Sequence, residues 1–75
     1  MRYNEIPTIT GRKVVTIETN KGAIRGRINR AAHNCFYVTQ VDENGRKIES
    51  LQIRATLVST ITVGNEVIEV EASRF

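Results

Sequence analysis

The sequence has one cysteine, one proline and no tryptophan, and the lone cysteine already limits the fold. Cys35 has no partner for an internal disulfide, and no His or Cys spacing typical of zinc is present, so no cross-link holds this 75-residue chain together. The single thiol fits a reducing compartment and is expected to be a small buried hydrophobe. A domain this small buries only about 60% of its unfolded surface. Burial of a face or strand edge in an oligomer is the remaining route to stability.

Long apolar runs are also missing. Residues 1–7 contain no apolar core of the kind found in signal peptides, and no run approaches the ~20 residues that span a bilayer. We therefore expect a soluble, cytoplasmic protein with no membrane partner and a single domain over residues 1–75. Its core is expected over residues 11–63, with residues 64–75 forming a C-terminal hairpin or tail.

Catalytic arrangements are absent as well. No Ser/His/Asp or Cys/His set has supporting spacing, and no glycine-rich phosphate loop is present. Neighbouring carboxylates occur at the Asp42–Glu43 turn and in the acidic C-terminal segment. The sequence therefore predicts neither an enzyme, nor a cofactor protein, nor a metal site.

Charge is distributed unevenly along the chain. Residues 1–37 hold seven of the eleven basic residues and two of the eight acidic ones. A basic half beside an acidic half is typical of a surface that meets a polyanion, although a solvated basic surface gives the same count.

Val, Ile and Thr recur with the two-residue alternation of strands, and amphipathic helical spacing is missing. A short helical turn is possible before Gly11, where Pro7 prevents a long helix. The Asn44–Gly45 pair predicts a type I′ hairpin turn. The predicted strands are residues 13–19, 23–30, 35–41, 46–53, 57–63 and, as an extra C-terminal strand, 66–71.

Gly26 lies inside the second predicted strand, where it indicates a sharp bend or a close backbone approach. Short strands with a bent second strand predict an all-β fold, a small, strongly bent five-stranded antiparallel barrel. The candidate core residues are Val15, Ile17, Ile24, Ile28, Phe36, Val38, Leu51, Ile53, Val58 and Ile61.

Several segments resemble the Sm-like family (Sm, LSm and bacterial Hfq proteins). Residues 11–22 resemble its opening, with a glycine, a basic residue, alternating strand residues and a turn glycine. Gly26 is similar to the glycine that bends the family's second strand. His33–Asn34 resembles the end of the first Sm motif, and residues 51–55, Leu-Gln-Ile-Arg-Ala, resemble the second. The resemblance covers roughly residues 9–63.

This resemblance implies a homo-oligomeric ring of six or seven copies, in which the fourth strand of one copy pairs with the fifth strand of the next. It also implies single-stranded RNA at the pore, one base per copy. His33 would stack on the base, Asn34 would hydrogen-bond its edge, and Arg54 would close the pocket. Further phosphate contacts are expected from Arg25, Arg27 and Arg30.

Two other functions stay open at this point. One is an SH3-like protein-interaction module, which needs a groove of exposed aromatic residues. The other is a structural ring subunit without RNA binding, because Ala55 and Thr56 stand where the family has glycine and aspartate. Each site residue also has an ordinary interpretation: His33 in a solvated loop, Asn34 capping a turn, and Arg54 paired with Glu49 or Glu66 on the surface.

Overall fold

Six antiparallel strands follow a short N-terminal helix in the computed structural model, which describes residues 1–72. A 3-10 turn at Tyr3–Glu5 leads into helix α1 (Ile6–Thr10), and a second 3-10 turn at Ala55–Leu57 joins the fourth and fifth strands. The predicted strand boundaries agree with the observed ones to within two residues. The strands are β1 (Val14–Thr19), β2 (Gly22–Ala32), β3 (Cys35–Val41), β4 (Lys47–Arg54), β5 (Val58–Val63) and β6 (Glu66–Glu69).

The strands form one open sheet in the order β4-β3-β2-β1-β5-β6, so the predicted antiparallel β fold is confirmed and the predicted five-stranded barrel is wrong. The chain turns at Gly64–Asn65 and β6 pairs with β5, with Ile61 opposite Ile68. The edge of β5 that a closed barrel would offer to β4 is therefore occupied by β6. The extra strand was predicted, but its consequence for closure was not. Residues 73–75 of the predicted C-terminal hairpin or tail lie outside the described residues.

The N-terminal residues extend this edge of the sheet further. The Glu71 N–H donates to the Met1 carbonyl at 2.8 Å, and the Tyr3 N–H donates to the Glu71 carbonyl at 2.8 Å. The Met1 ammonium donates to the Glu69 carbonyl at 3.0 Å. Residues 1–3 thus cover the outer side of the chain just after β6, whereas β4 lies at the opposite edge of the sheet.

The core draws residues from every strand and from α1, which requires that the sheet curl around it. Of the ten predicted core residues, eight are buried, and Ile24 and Leu51 are partly buried against the same cluster. Ile6, Ala55 and Ile68 complete the core, and none of them was predicted. Ile6 and Ile68 belong to elements that the core prediction omitted.

Helix α1 is five residues long, with Pro7 in its first turn and Gly11 ending it at a φ of 56°. The Gly11 N–H donates to the Pro7 carbonyl at 2.9 Å. Thr10 is fully buried, and its Oγ1 has no hydrogen-bond partner. Between residues 1 and 72, no helix is long and apolar enough to cross a membrane.

The β3–β4 connection differs from the predicted two-residue type I′ turn. Asp42 Oδ1 accepts from the backbone N–H groups of Asn44 and Arg46, each at 2.9 Å. Gly45 takes the positive φ, 81°, while Asn44 does not. The Asp42 side chain therefore organises a longer loop, in which its bonds replace those that an Asn-Gly turn would make.

Gly26 lies where β2 and β3 approach most closely, as its position inside a strand predicted. A Cβ at this residue would collide with the Thr39 carbonyl oxygen and lie 2.9 Å from Val38 Cγ1. Only a residue without a Cβ leaves room for this pairing.

We expect Gly26→Ala to lower the free energy of unfolding by about 1–3 kcal/mol, because the added methyl group must displace backbone atoms. Urea unfolding followed by circular dichroism measures the change. The matched control is Ala23→Ser, at an exposed position of the same strand, which should stay within about 0.5 kcal/mol of the parent. Equal stability of both variants would contradict the close approach.

We expect Thr10→Val to raise the free energy of unfolding by about 1 kcal/mol, because it replaces a buried hydroxyl that has no partner with a methyl group of similar size. Thr8→Val, on the exposed side of the same helix, is the control and should change stability little. A loss of stability in Thr10→Val alone would mean that the hydroxyl has a partner in solution.

Candidate nucleic-acid interface

His33 and Asn34 form the two-residue loop between β2 and β3. Their φ angles are 55° and 60°, and Ala32 lies opposite Cys35 where the loop closes. Two consecutive positive φ values define a type I′ hairpin turn, a conformation that Asn and His tolerate better than most residues. The predicted stacking residue and amide therefore lie at the tip of a tight hairpin, with His33 exposed and Asn34 half-buried.

The N-terminal segment holds this turn in place. The Asn34 backbone N–H donates to Tyr3 Oη at 2.8 Å. The Tyr3 ring meets the buried Phe36 edge to face, with ring centroids 6.0 Å apart. A hydrogen bond and an aromatic contact from one side chain therefore fix the turn against the core.

Arg54 lies beside the same turn. It ends β4, opposite Cys35 of β3, and its side chain is exposed. The next residue, Ala55, donates its N–H to the Asn34 carbonyl at 2.8 Å. The structure thus brings together the two segments that carry the predicted site, His33–Asn34 and Arg54–Ala55, through a direct backbone hydrogen bond.

The strand pairing places the other predicted cations on one face of the sheet, opposite the core, which we call the outer face. Arg25 and Arg27 alternate with the core-facing positions of β2. A register shift between Ile28 and Arg30 inserts one extra residue, Asn29, so Arg30 returns to the same face. Without this bulge, strict alternation would turn Arg30 toward the core.

Cross-strand pairs extend this face over β3 and β4. Arg30 lies opposite Tyr37, and Tyr37 lies opposite Gln52. The Arg30 guanidinium carbon stands 5.1 Å from the Tyr37 ring centroid, a cation–π distance. Tyr37 follows Phe36 directly in the sequence, but the pairing buries Phe36 and turns Tyr37 to the outer face.

Acidic residues are segregated from this part of the sheet. The outer face of β2, β3 and β4 carries no Asp or Glu, whereas Glu18 of β1 and Glu69 of β6 lie beyond it. Within residues 1–72, Arg54 forms no ion pair with Glu49 or Glu66, and the same holds for the β2 arginines. The uneven charge along the sequence thus becomes an uneven charge across the sheet.

A shallow groove of about 390 Å³ adjoins the basic strands, between the end of α1 and the β2 bulge. Its lining includes Arg12 and Arg27 together with Asn29, whose Nδ2 donates to Thr39 Oγ1 at 2.8 Å.

Sequence reasoning missed Arg12, Asn29 and Tyr3. Arg12 could have been found from the basic charge of residues 1–37, but the bulge and the Tyr3 contact leave no sequence signal.

Features of other site types are missing from the described part of the chain. No three His, Cys, Asp or Glu side chains come together there to hold a metal ion. Cys35 is buried and accepts a long hydrogen bond from Gln52 Nε2 at 3.5 Å. The exposed large hydrophobic residues among residues 1–72 are all aliphatic, so the aromatic groove of an SH3-like module is not found there; they are Met1, Ile9, Ile48, Leu57 and Val67.

Comparison of the chain with protein-family models, curated proteins and solved structures finds no match. The Sm-like resemblance therefore stays a prediction, and the site is interpreted from its own geometry.

We expect Tyr3→Phe to lower the free energy of unfolding by about 1 kcal/mol, because the half-buried Asn34 N–H loses its acceptor while the ring contact remains. Tyr37→Phe is the matched control, since the Tyr37 hydroxyl has no hydrogen bond to residues 1–72. Thermal unfolding of both variants tests this anchor, and equal melting temperatures would contradict it.

Proposed function

We propose that this protein binds single-stranded RNA. The phosphates lie along the basic outer face of β2–β4, and a base is held at the end of the sheet by His33 and Arg54. The observation that carries the proposal is the convergence of four exposed or half-exposed arginines and one tyrosine ring on a single acid-free face. These residues are Arg25, Arg27, Arg30, Arg54 and Tyr37.

The chemistry of this face suits a flexible polyanion. Guanidinium groups neutralise phosphates and form paired hydrogen bonds with them, and a tyrosine ring beside them offers a stacking surface. Because the arginines have no carboxylate partners within residues 1–72, binding RNA breaks no internal ion pair. A single strand can follow this face because its bases are free to turn toward the protein.

The end of the sheet supplies the second part of the site. His33 is exposed at the tip of a fixed turn, and Arg54 is exposed on the adjoining segment. We assign base stacking to His33 and closure of the pocket to Arg54. Asn34 has both backbone groups engaged, so its main role is to fix His33, with its amide as the predicted contact to the base edge.

Removing two charges from the outer face, Arg27→Gln with Arg30→Gln, should weaken binding and lower the slope of log K against log salt by roughly 0.7 per lost phosphate contact. Fluorescence anisotropy with short uridine-rich and adenosine-rich oligoribonucleotides measures both effects. The control is Arg2→Gln with Arg46→Gln, which removes the same charge from positions off this face. An equal change of slope in both proteins would mean that the salt dependence comes from net charge alone and not from the outer face.

Arg54→Ala and His33→Ala should each lower RNA affinity by about tenfold or more, because a stacked or hydrogen-bonded base contributes about 1–3 kcal/mol. Arg54→Ala should leave folding unchanged, since the side chain is exposed. His33→Ala also places alanine at a φ of 55°, so its melting temperature is measured together with its affinity. Full affinity in both variants would remove this end of the sheet from the site. No binding by the parent protein at low salt would refute the function itself.

A further inference from the structure

Three rows of side chains cross the outer face of β2, β3 and β4. Each row joins one residue of each strand through direct cross-strand pairing. In order from the His33–Asn34 turn, the rows are Ala32–Cys35–Arg54, Arg30–Tyr37–Gln52 and Arg27–Thr39–Ser50. Each row contains one arginine and no carboxylate, so the positive charge is spaced along the strands instead of being gathered at one point.

The spacing of the rows suits the repeat of an extended single-stranded nucleic acid. Neighbouring rows are two residues apart on β3, which corresponds to about 6–7 Å along a strand. A nucleotide has about twice as many backbone bonds per repeat as an amino-acid residue, so an extended nucleotide advances by about two strand residues. One nucleotide per row therefore keeps an RNA strand in step with β3, with a guanidinium group beside each nucleotide.

The central strand, β3, carries the only aromatic ring on the outer face within residues 1–72. Cys35, Tyr37 and Thr39 alternate with core residues along β3, so the ring rises from the middle row between two smaller side chains. The smaller residues leave space on both sides of the ring, where a base can stack against it.

Arg30 and Gln52 flank this ring. The Arg30 guanidinium carbon lies 5.1 Å from the centroid of the Tyr37 ring, so its charge is held beside the middle row. Gln52 Nε2 donates to Cys35 Sγ at 3.5 Å, which leaves a second N–H and Oε1 for the edge of a base. The middle row thus offers a stacking surface, a cation and an amide to one nucleotide.

A path across the strands is less favourable for RNA. On the outer face beyond β2, Glu18 of β1 lies opposite Thr60 of β5, and Thr60 lies opposite Glu69 of β6. An RNA strand that crosses the sheet would bring its phosphates towards these carboxylates. A strand parallel to β3 meets an arginine at every row instead.

We propose that the RNA runs parallel to β3 and places one nucleotide on each of the three rows, with the central base stacked on Tyr37 and a further base on His33. This inference rests on the RNA binding proposed above and adds the direction, the register and the length of the bound segment. The footprint is about four nucleotides, one for each row and one for His33, at the short end of the site sizes of small single-strand-binding domains.

The sharpest test adds a cation to this path. Ser50→Arg places a second guanidinium in the third row, and Val67→Arg places the same charge on the outer face of β6, away from the path. Both residues are exposed. Ser50→Arg should tighten the binding of a four-nucleotide oligouridylate about threefold and steepen the slope of log K against log salt by roughly 0.7. Val67→Arg should leave both values near those of the parent, as measured by fluorescence anisotropy at low salt.

Two substitutions in the middle row test the stacked base. Tyr37→Leu removes the ring and should lower the affinity about tenfold, the loss expected for one stacked base. Tyr37→Phe keeps the ring and should bind with nearly the affinity of the parent. Melting temperatures of both variants are measured alongside, and they should stay close to that of the parent because Tyr37 lies outside the core.

Oligonucleotide length and amide spectra locate the bound strand. The affinity should rise steeply from the dinucleotide to the tetranucleotide and then level off. In amide proton–nitrogen correlation spectra, the tetranucleotide should shift the signals of Tyr37, Thr39 and Gln52 and leave those of Thr62 and Val67 unchanged.

Three results would overturn this path, and they differ in what they leave standing. Shifts that extend over Thr62 and Val67, or an equal gain from Val67→Arg, mean that RNA crosses the strands, although RNA binding itself then stands. Full affinity in Tyr37→Leu removes the stacked central base. A parent protein that binds no oligonucleotide refutes the proposed function and this path with it.

Discussion

The pairing of β2 with β3 is the constraint on which the rest of this structure depends. Gly26 allows the two backbones to approach, and the extra residue Asn29 shifts the strand register between Ile28 and Arg30. The close approach places Ile28 and Val38 in the core. The shift places Arg30 and Tyr37 on the opposite face. Two local features of one strand pair, the close approach and the bulge, therefore produce the buried core and the continuous basic surface.

The same strand pair also forms the end of the candidate site. Because β2 and β3 finish in a two-residue turn, His33 and Asn34 are presented without a flexible loop. The Asn34 N–H and carbonyl bond to the N-terminal segment and to the start of the β4–β5 connection, respectively. Three distant parts of the sequence thus meet at one small hairpin. Arg54 lies there because β4 ends where β3 begins.

The sequence predicted the regular features well, because alternation is a local signal. Strand positions, most core residues and the special role of Gly26 follow from it, whereas the meeting of the two motif segments was an implication of the Sm-like resemblance. The irregular features were not predictable in this way. A bulge adds one residue without changing composition, and a five-residue helix is too short to display helical periodicity around Ile6 and Thr10. The predicted Asn-Gly turn did not form, because Asp42 Oδ1 accepts hydrogen bonds from the backbone N–H groups of Asn44 and Arg46 and so organises a longer loop.

Barrel closure failed as a prediction for a different physical reason. A strand pattern specifies that an edge must be paired or protected, but it does not specify which strand does so. Here β6 covers β5, and residues 1–3 follow it, so that side of the sheet is protected within the chain. The β4 edge has instead a bulge and alternating charge around Ile48, features that discourage most registers.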